Sequence, residues 1–151
     1  MVSDNLKSKV MGLIKQSATD LGVNLRVTAR IKDYSALKIN IQSCSIDLRQ
    51  NMLDTIKDKL VNGCLLGSDR EYLQRVLSDL EQESEEPKSL PCSEYKIDKL
   101  FSGSALELMQ KLYANIRCDY YCNSDAGRDY FDVAYYYSLT IGNNKAGFKF
   151  I

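Results

Sequence analysis

Six of the chain's ten tyrosines fall within "CDYYCNSDAGRDYFDVAYYYSLTIG", residues 118–142, among four aspartates and two cysteines. Thiols and carboxylates can ligate a metal or move protons, and tyrosine rings can stack on bases or bury area against another protein. Spacing decides among these. On a strand, Cys118 and Cys122 face the same way but lie roughly 13 Å apart, too far to share one ion. The chain also has no histidine to complete a ligand set. The turn "NSDAGRD" sets Asn123, Asp125 and Asp129 in faint likeness to a calcium loop. Gly127 is misplaced for an EF-hand, however, and no bidentate Glu follows at the required offset. No metal site and no cofactor is expected.

Catalysis finds no support either. Without histidine, a Ser or Cys nucleophile needs Lys, Asp or Glu as its base, and no recognisable motif supplies one. There is no Walker A loop and no Gly-x-Gly-x-x-Gly, so a non-enzymatic protein is expected. Alternation then sorts the aromatics of the returning strand. Phe131, Val133, Tyr135, Tyr137, Leu139 and Ile141 share the apolar face, with the Tyr135 and Tyr137 hydroxyls reaching out. Tyr130, Asp132, Ala134, Tyr136, Ser138 and Thr140 share the other. Between Cys118 and Ile141 the only base is Arg128, against Asp119, Asp125, Asp129 and Asp132. That acidity repels phosphate, so Tyr130, Asp132 and Tyr136 with the Asp125–Asp129 turn read as a protein-contact surface.

The elements that position these residues are legible upstream. Leu6, Val10, Leu13, Ile14 and Leu21 mark a first helix, capped by Ser3 or Asp4 and stopped by a left-handed Gly22. Period-two alternation follows. Leu25, Val27, Ala29 and Ile31 oppose Arg26, Thr28 and Arg30; after the link Lys32-Asp33-Tyr34-Ser35, Leu37, Ile39 and Ile41 oppose Lys38, Asn40 and Gln42. This predicts an antiparallel hairpin whose wet face carries the bases Arg26, Arg30 and Lys38. A second helix is expected from about Asp47 to Val61, ending at Gly63. A third and a fourth are expected from the capping boxes Ser68–Glu71 and Ser104–Glu107. Between these two, Glu81, Glu83, Glu85 and Glu86 precede Pro87 in a stretch, 81–91, that reads as a mobile acidic loop. The expectation is one α+β domain over 1–151. Its antiparallel sheet of two hairpins, about four to five strands, carries about four helices packed mainly on one face.

Composition sets further bounds. The chain has 151 residues and zero formal net charge, unevenly distributed. Residues 1–50 carry eight Lys/Arg against four Asp/Glu, and residues 51–100 carry seven against eleven. No apolar run approaches membrane length, and no basic stretch leads into an apolar one at the N-terminus, so a cytoplasmic protein without membrane contact is expected. Five scattered cysteines argue against a disulfide framework and for reduced thiols.

Two stretches, "GVNLRVTARIKDYSALKINI" and "NSDAGRDYFDVAYYYSLTIG", resemble the large polyvalent protein-associated domains of phages and conjugative elements. The resemblance lies in Tyr34-Ser35, Asp129-Tyr130-Phe131-Asp132, Tyr135-Tyr136 and Ile141-Gly142. Ala36 and Leu37 stand where the family tends to place glycines, and Asn143-Asn144-Lys145 replaces its Trp-containing turn. The resemblance implies a mobile-element protein acting inside a bacterial host cell, and transfers no catalytic residues. Together these readings favour stoichiometric protein binding, with an anti-CRISPR-like counter-defence inhibitor as the sharp form. Its partner is then a host protein or protein–nucleic-acid complex with a basic surface, met by the acidic aromatic face or by Glu81–Glu86. The alternative is a nucleic-acid-binding accessory module using Arg26, Arg30 and Lys38. Exposed aromatics on a terminal strand also offer a route to a homodimer, sheet edge to sheet edge.

Overall fold

Apolar spacing of three and four residues buries Val10, Ile14 and Ala18 along α1 (Asp4–Asp20). The helix ends as its sequence demands. Gly22 takes φ 67°, and the Gly22 and Val23 amides bond back to the Thr19 and Ala18 carbonyls, closing a Schellman motif. The computed structural model describes residues 4–33, 36–63, 65, 67–82, 89–118, 135–142 and 147–151. Strands β1 (Leu25–Lys32) and β2 (Ala36–Cys44) form the expected antiparallel hairpin, with Arg30 opposite Lys38 and Ala29 opposite Ile39. β1 runs one residue beyond the expected alternation, so Lys32 belongs to the strand rather than to the connection.

Asp47 caps α2 (Leu48–Asn62), its carboxylate accepting from the Gln50 amide at 3.1 Å. Helix α3 (Gly67–Glu81) buries Leu73, Val76 and Leu80. A four-residue helix, α4 (Ile97–Leu100), was not expected from periodicity, because one turn is too short to show any. Helix α5 (Gly103–Ile116) buries Ala105, Leu108, Met109, Leu112, Tyr113 and Ile116. Ser68 and Ser104, each expected to open a capping box, instead stand exposed one residue inside α3 and α5. The entry to α5 is set from α2. The Asn51 amide accepts from the Ser102 N–H at 3.0 Å and donates to its carbonyl at 3.1 Å, and Thr55 Oγ1 lies 2.8 Å from Ser102 Oγ. Asn51→Ala is expected to lower unfolding free energy by about 1–2 kcal/mol, measured by urea denaturation, because two backbone groups lose their partner.

The class is α+β, with the helices against one sheet face. Strand β3 (Tyr136–Ile141) pairs with β2 in parallel, Lys38 beside Ser138 and Asn40 beside Thr140. The sheet is therefore mixed rather than wholly antiparallel. Among the described residues the connection from β2 to β3 includes four helices, and the chain re-enters the sheet in the same sense, as parallel pairing requires. The strand expected at Cys118–Cys122, which would pair with β3 in a second hairpin, lies outside the described residues apart from Cys118, which stands in a turn. A two-residue strand, β4 (Lys149–Phe150), also runs parallel to β2, at Ser43 and Cys44. Within the stretch expected as an acidic loop, Glu81 ends α3, and the Leu90 N–H donates to the Ile141 carbonyl at 2.8 Å on the outer edge of β3. The core runs from Val10 and Ile14 through Leu37, Ile39 and Ile41 to Leu139 and Ile141, with Phe101, Leu108 and Leu112 filling the helical side.

Candidate binding surface

Alternation along three strands leaves one sheet face open. Arg26, Thr28, Arg30 and Lys32 on β1 are exposed, as are Tyr136, Ser138 and Thr140 on β3; Lys38, Asn40 and Gln42 on β2 are half-buried between them. Strand register orders them in rows. Lys32, Ala36 and Tyr136 form one; Arg30, Lys38 and Ser138 the next; Thr28, Asn40 and Thr140 a third; Arg26, Ser43 and Lys149 a fourth. Strands stand about 4.8 Å apart and successive rows about 7 Å. The third row is knitted by Thr140 Oγ1 donating to Asn40 Oδ1 at 2.8 Å.

The charge on this face has one sign. The four strands contain Arg26, Arg30, Lys32, Lys38 and Lys149 and no Asp or Glu. Among the described residues none of these bases enters an ion pair; the pairs present lie on the helical side, such as Lys57–Glu81 at 3.5 Å and Lys96–Asp69 at 3.2 Å. Arg30 and Lys38 sit directly opposite each other, an arrangement that destabilises a sheet. Among the described residues the strands thus carry bases without acids, while the helices carry both signs.

Of the expected contact residues, Arg26, Arg30 and Lys38 come together on this face. Tyr136 joins them, with Ala36 as its sheet neighbour in the row beside Lys38. Glu81 stands apart on the helical layer, paired with Lys57. Tyr130, Asp132, Asp125, Asp129, Glu83, Glu85 and Glu86 lie outside the described residues. Sequence reading missed Lys32, assigned to the link, and Lys149, whose two-residue strand is too short to show alternation.

Beside β3 a groove of about 370 Å³ is lined by Ser93, Glu94, Tyr95, Tyr113 and residues 136–139. Its floor is a cluster of tyrosines. The Tyr137 ring meets Tyr113 and Tyr135 edge to face, with centroids 6.5 and 6.4 Å away. Of the two hydroxyls expected to reach outward, that of Tyr137 donates to half-buried Glu94 Oε1 at 2.6 Å, whereas that of Tyr135 is buried and donates to the Ile116 carbonyl at the end of α5. Arg117 Nη1 holds the other Glu94 oxygen at 2.7 Å.

Under the groove, burial pushes the Cys92 thiol up to about 12, the Tyr113 hydrogen bond opposing it in part. Burial likewise raises Tyr113, helped by Cys92 and Glu94, and raises Cys44. These groups are neutral at pH 7 in both folded and unfolded chains. Above pH 9 the unfolded thiols ionise first, so stability is expected to hold below pH 9 and to fall as pH rises towards 12. Urea midpoints followed through that window check this, and Cys92→Ala is expected to flatten the decline.

Among the described residues, no group of three or more His, Cys, Asp or Glu is placed to hold a metal ion, and no helix is long and apolar enough to cross a membrane. Compared with protein families, with curated proteins and with solved structures, the chain matches none. The likeness to the polyvalent-protein domains therefore rests on the residues quoted for it, of which Tyr135-Tyr136 and Ile141-Gly142 are described.

Proposed function

We propose that the protein is a non-enzymatic, stoichiometric binder whose working surface is the open sheet face, and that its ligand there is single-stranded nucleic acid. The observation that supports this is Arg30 facing Lys38 on strands that contain no acid. Folding gains nothing from that pair, and local rules are broken in this way where a partner compensates. Charge on β1 alone has a simpler account, since edge strands use Lys and Arg to discourage pairing with other chains. Lys38 escapes that account because β2 is the central strand. Exposed Tyr136 adds a ring for stacking on an unpaired base, and an open sheet face with bases and an aromatic suits a single strand better than a duplex groove.

Fluorescence anisotropy with a labelled single-stranded oligonucleotide tests the reading. Binding is expected at low salt, weakening as salt rises by about 0.7 log units per tenfold salt for each phosphate held. The Arg26→Glu/Arg30→Glu double reversal is expected to abolish it. Absence of binding at low salt by the natural sequence overturns the reading.

In the mobile-element setting that the resemblance implies, the same activity suits a counter-defence protein that occludes a host protein–nucleic-acid complex. A tagged pull-down with and without nuclease separates two routes. Loss of the partner on digestion supports contact through the nucleic acid, and retention returns the weight to the protein-contact surface around Tyr130 and Asp132.

A further inference from the structure

Two exposed tyrosines line one groove. Tyr95, before α4, is 84% exposed and Tyr136 is 60% exposed, and both line the groove along β3. Ser93, Glu94, Tyr113, Tyr137 and Ser138 line the same groove. Glu94 is held from two sides, by the Tyr137 hydroxyl at 2.6 Å and by Arg117 at 2.7 Å, yet its side chain keeps about 20% exposure. Each carboxylate oxygen has a second acceptor position, so Glu94 can still take two donors. Arg117 offsets its charge, which would otherwise repel a phosphate passing nearby.

A fixed acceptor beside stacking rings selects among bases by hydrogen-bond pattern. Guanine presents adjacent N1–H and N2–H donors on its Watson–Crick edge, matching the two oxygens of one carboxylate. Adenine and cytosine place a ring acceptor next to their amino group, which would face carboxylate lone pairs. Thymine and uracil offer one N–H between two carbonyls. Edge reading and stacking together are how unpaired bases are recognised.

The groove is also continuous with the basic face. Tyr136 belongs to both, in the row with Lys32 and next to the row of Ser138, Lys38 and Arg30. We propose that this groove is a guanine subsite, in which Tyr95 and Tyr136 flank a base of the bound strand and Glu94 reads its edge. This rests on the reading of the sheet face as a single-strand surface.

The test compares a short oligothymidine with the same strand carrying one central guanosine, and with its adenosine and cytidine counterparts, by anisotropy at fixed low salt. The guanosine strand is expected to bind about tenfold tighter than oligothymidine. Glu94→Gln is expected to bring it level with oligothymidine measured on the same variant. Tyr95→Ala, at a position too exposed to endanger folding, is expected to weaken the guanosine strand more than oligothymidine. Equal, salt-sensitive binding of all four strands overturns the subsite and leaves the sheet-face reading standing. Preference that persists in Glu94→Gln also overturns it. Binding of none overturns both.

Discussion

Arg30→Glu is expected to weaken single-stranded oligonucleotide binding by on the order of tenfold at low salt, with no fall in melting temperature. The two effects have separate causes. Binding loses one counterion-releasing contact and gains a repulsive charge on the face, so the slope of log affinity on log salt shrinks by about 0.7. Stability moves the other way. Glutamate opposite Lys38 replaces a like-charge cross-strand pair with an opposite-charge one, a change of about 0.2–1 kcal/mol in favour of the folded chain. Thermal melts and anisotropy on one preparation check both. Lower stability with unchanged binding would show that Arg30 serves the fold alone.

Gly142→Val is expected to be the most damaging single change to the fold, on the order of 4 kcal/mol. Gly142 sits at φ 72°, a conformation that a β-branched residue adopts only under strain. A Cβ there would lie 2.6 Å from the Phe148 amide nitrogen, which is backbone and cannot rotate away. The Gly142 amide also donates to the Ile41 carbonyl at 2.9 Å, tying the end of β3 to β2. Against the roughly 5–15 kcal/mol that holds a domain together, such a loss is large. Urea denaturation measures it. The same change should displace β4 from β2 and take Lys149 off the basic face, so residual folded protein is expected to show a smaller salt slope.

Much of the scaffold is legible in the chain because its signals are local. Gly22 stops α1, Asp47 caps α2, and alternation from Leu25 to Ile41 sets the first hairpin with its wet and dry faces. Alternation also places Tyr135 and Tyr137 on the inner side of β3. Where reading failed, a distant partner had intervened. Ser104 was expected to cap its helix, but Asn51, far back in the chain, grips Ser102 and fixes where α5 begins. Tyr136 alternates with Asp132, which lies outside the described residues; among the described residues its neighbours across the sheet are Ala36 and Lys38, which alternation within one strand does not reveal.

The amino-acid sequence by itself determined which residues share a face within each element, because the periods of helix and strand are properties of the backbone. Arg26, Arg30 and Lys38 were therefore recognisable as a basic face without any knowledge of the fold. Only the tertiary structure decided what lies beside them. The parallel register of β3 on β2, set by burial of Leu139 and Ile141 against Ile39 and Ile41, carries Tyr136 to the basic rows and Tyr137 to Glu94. Pairing across such a distance in sequence leaves no local trace, since packing of the whole core selects it.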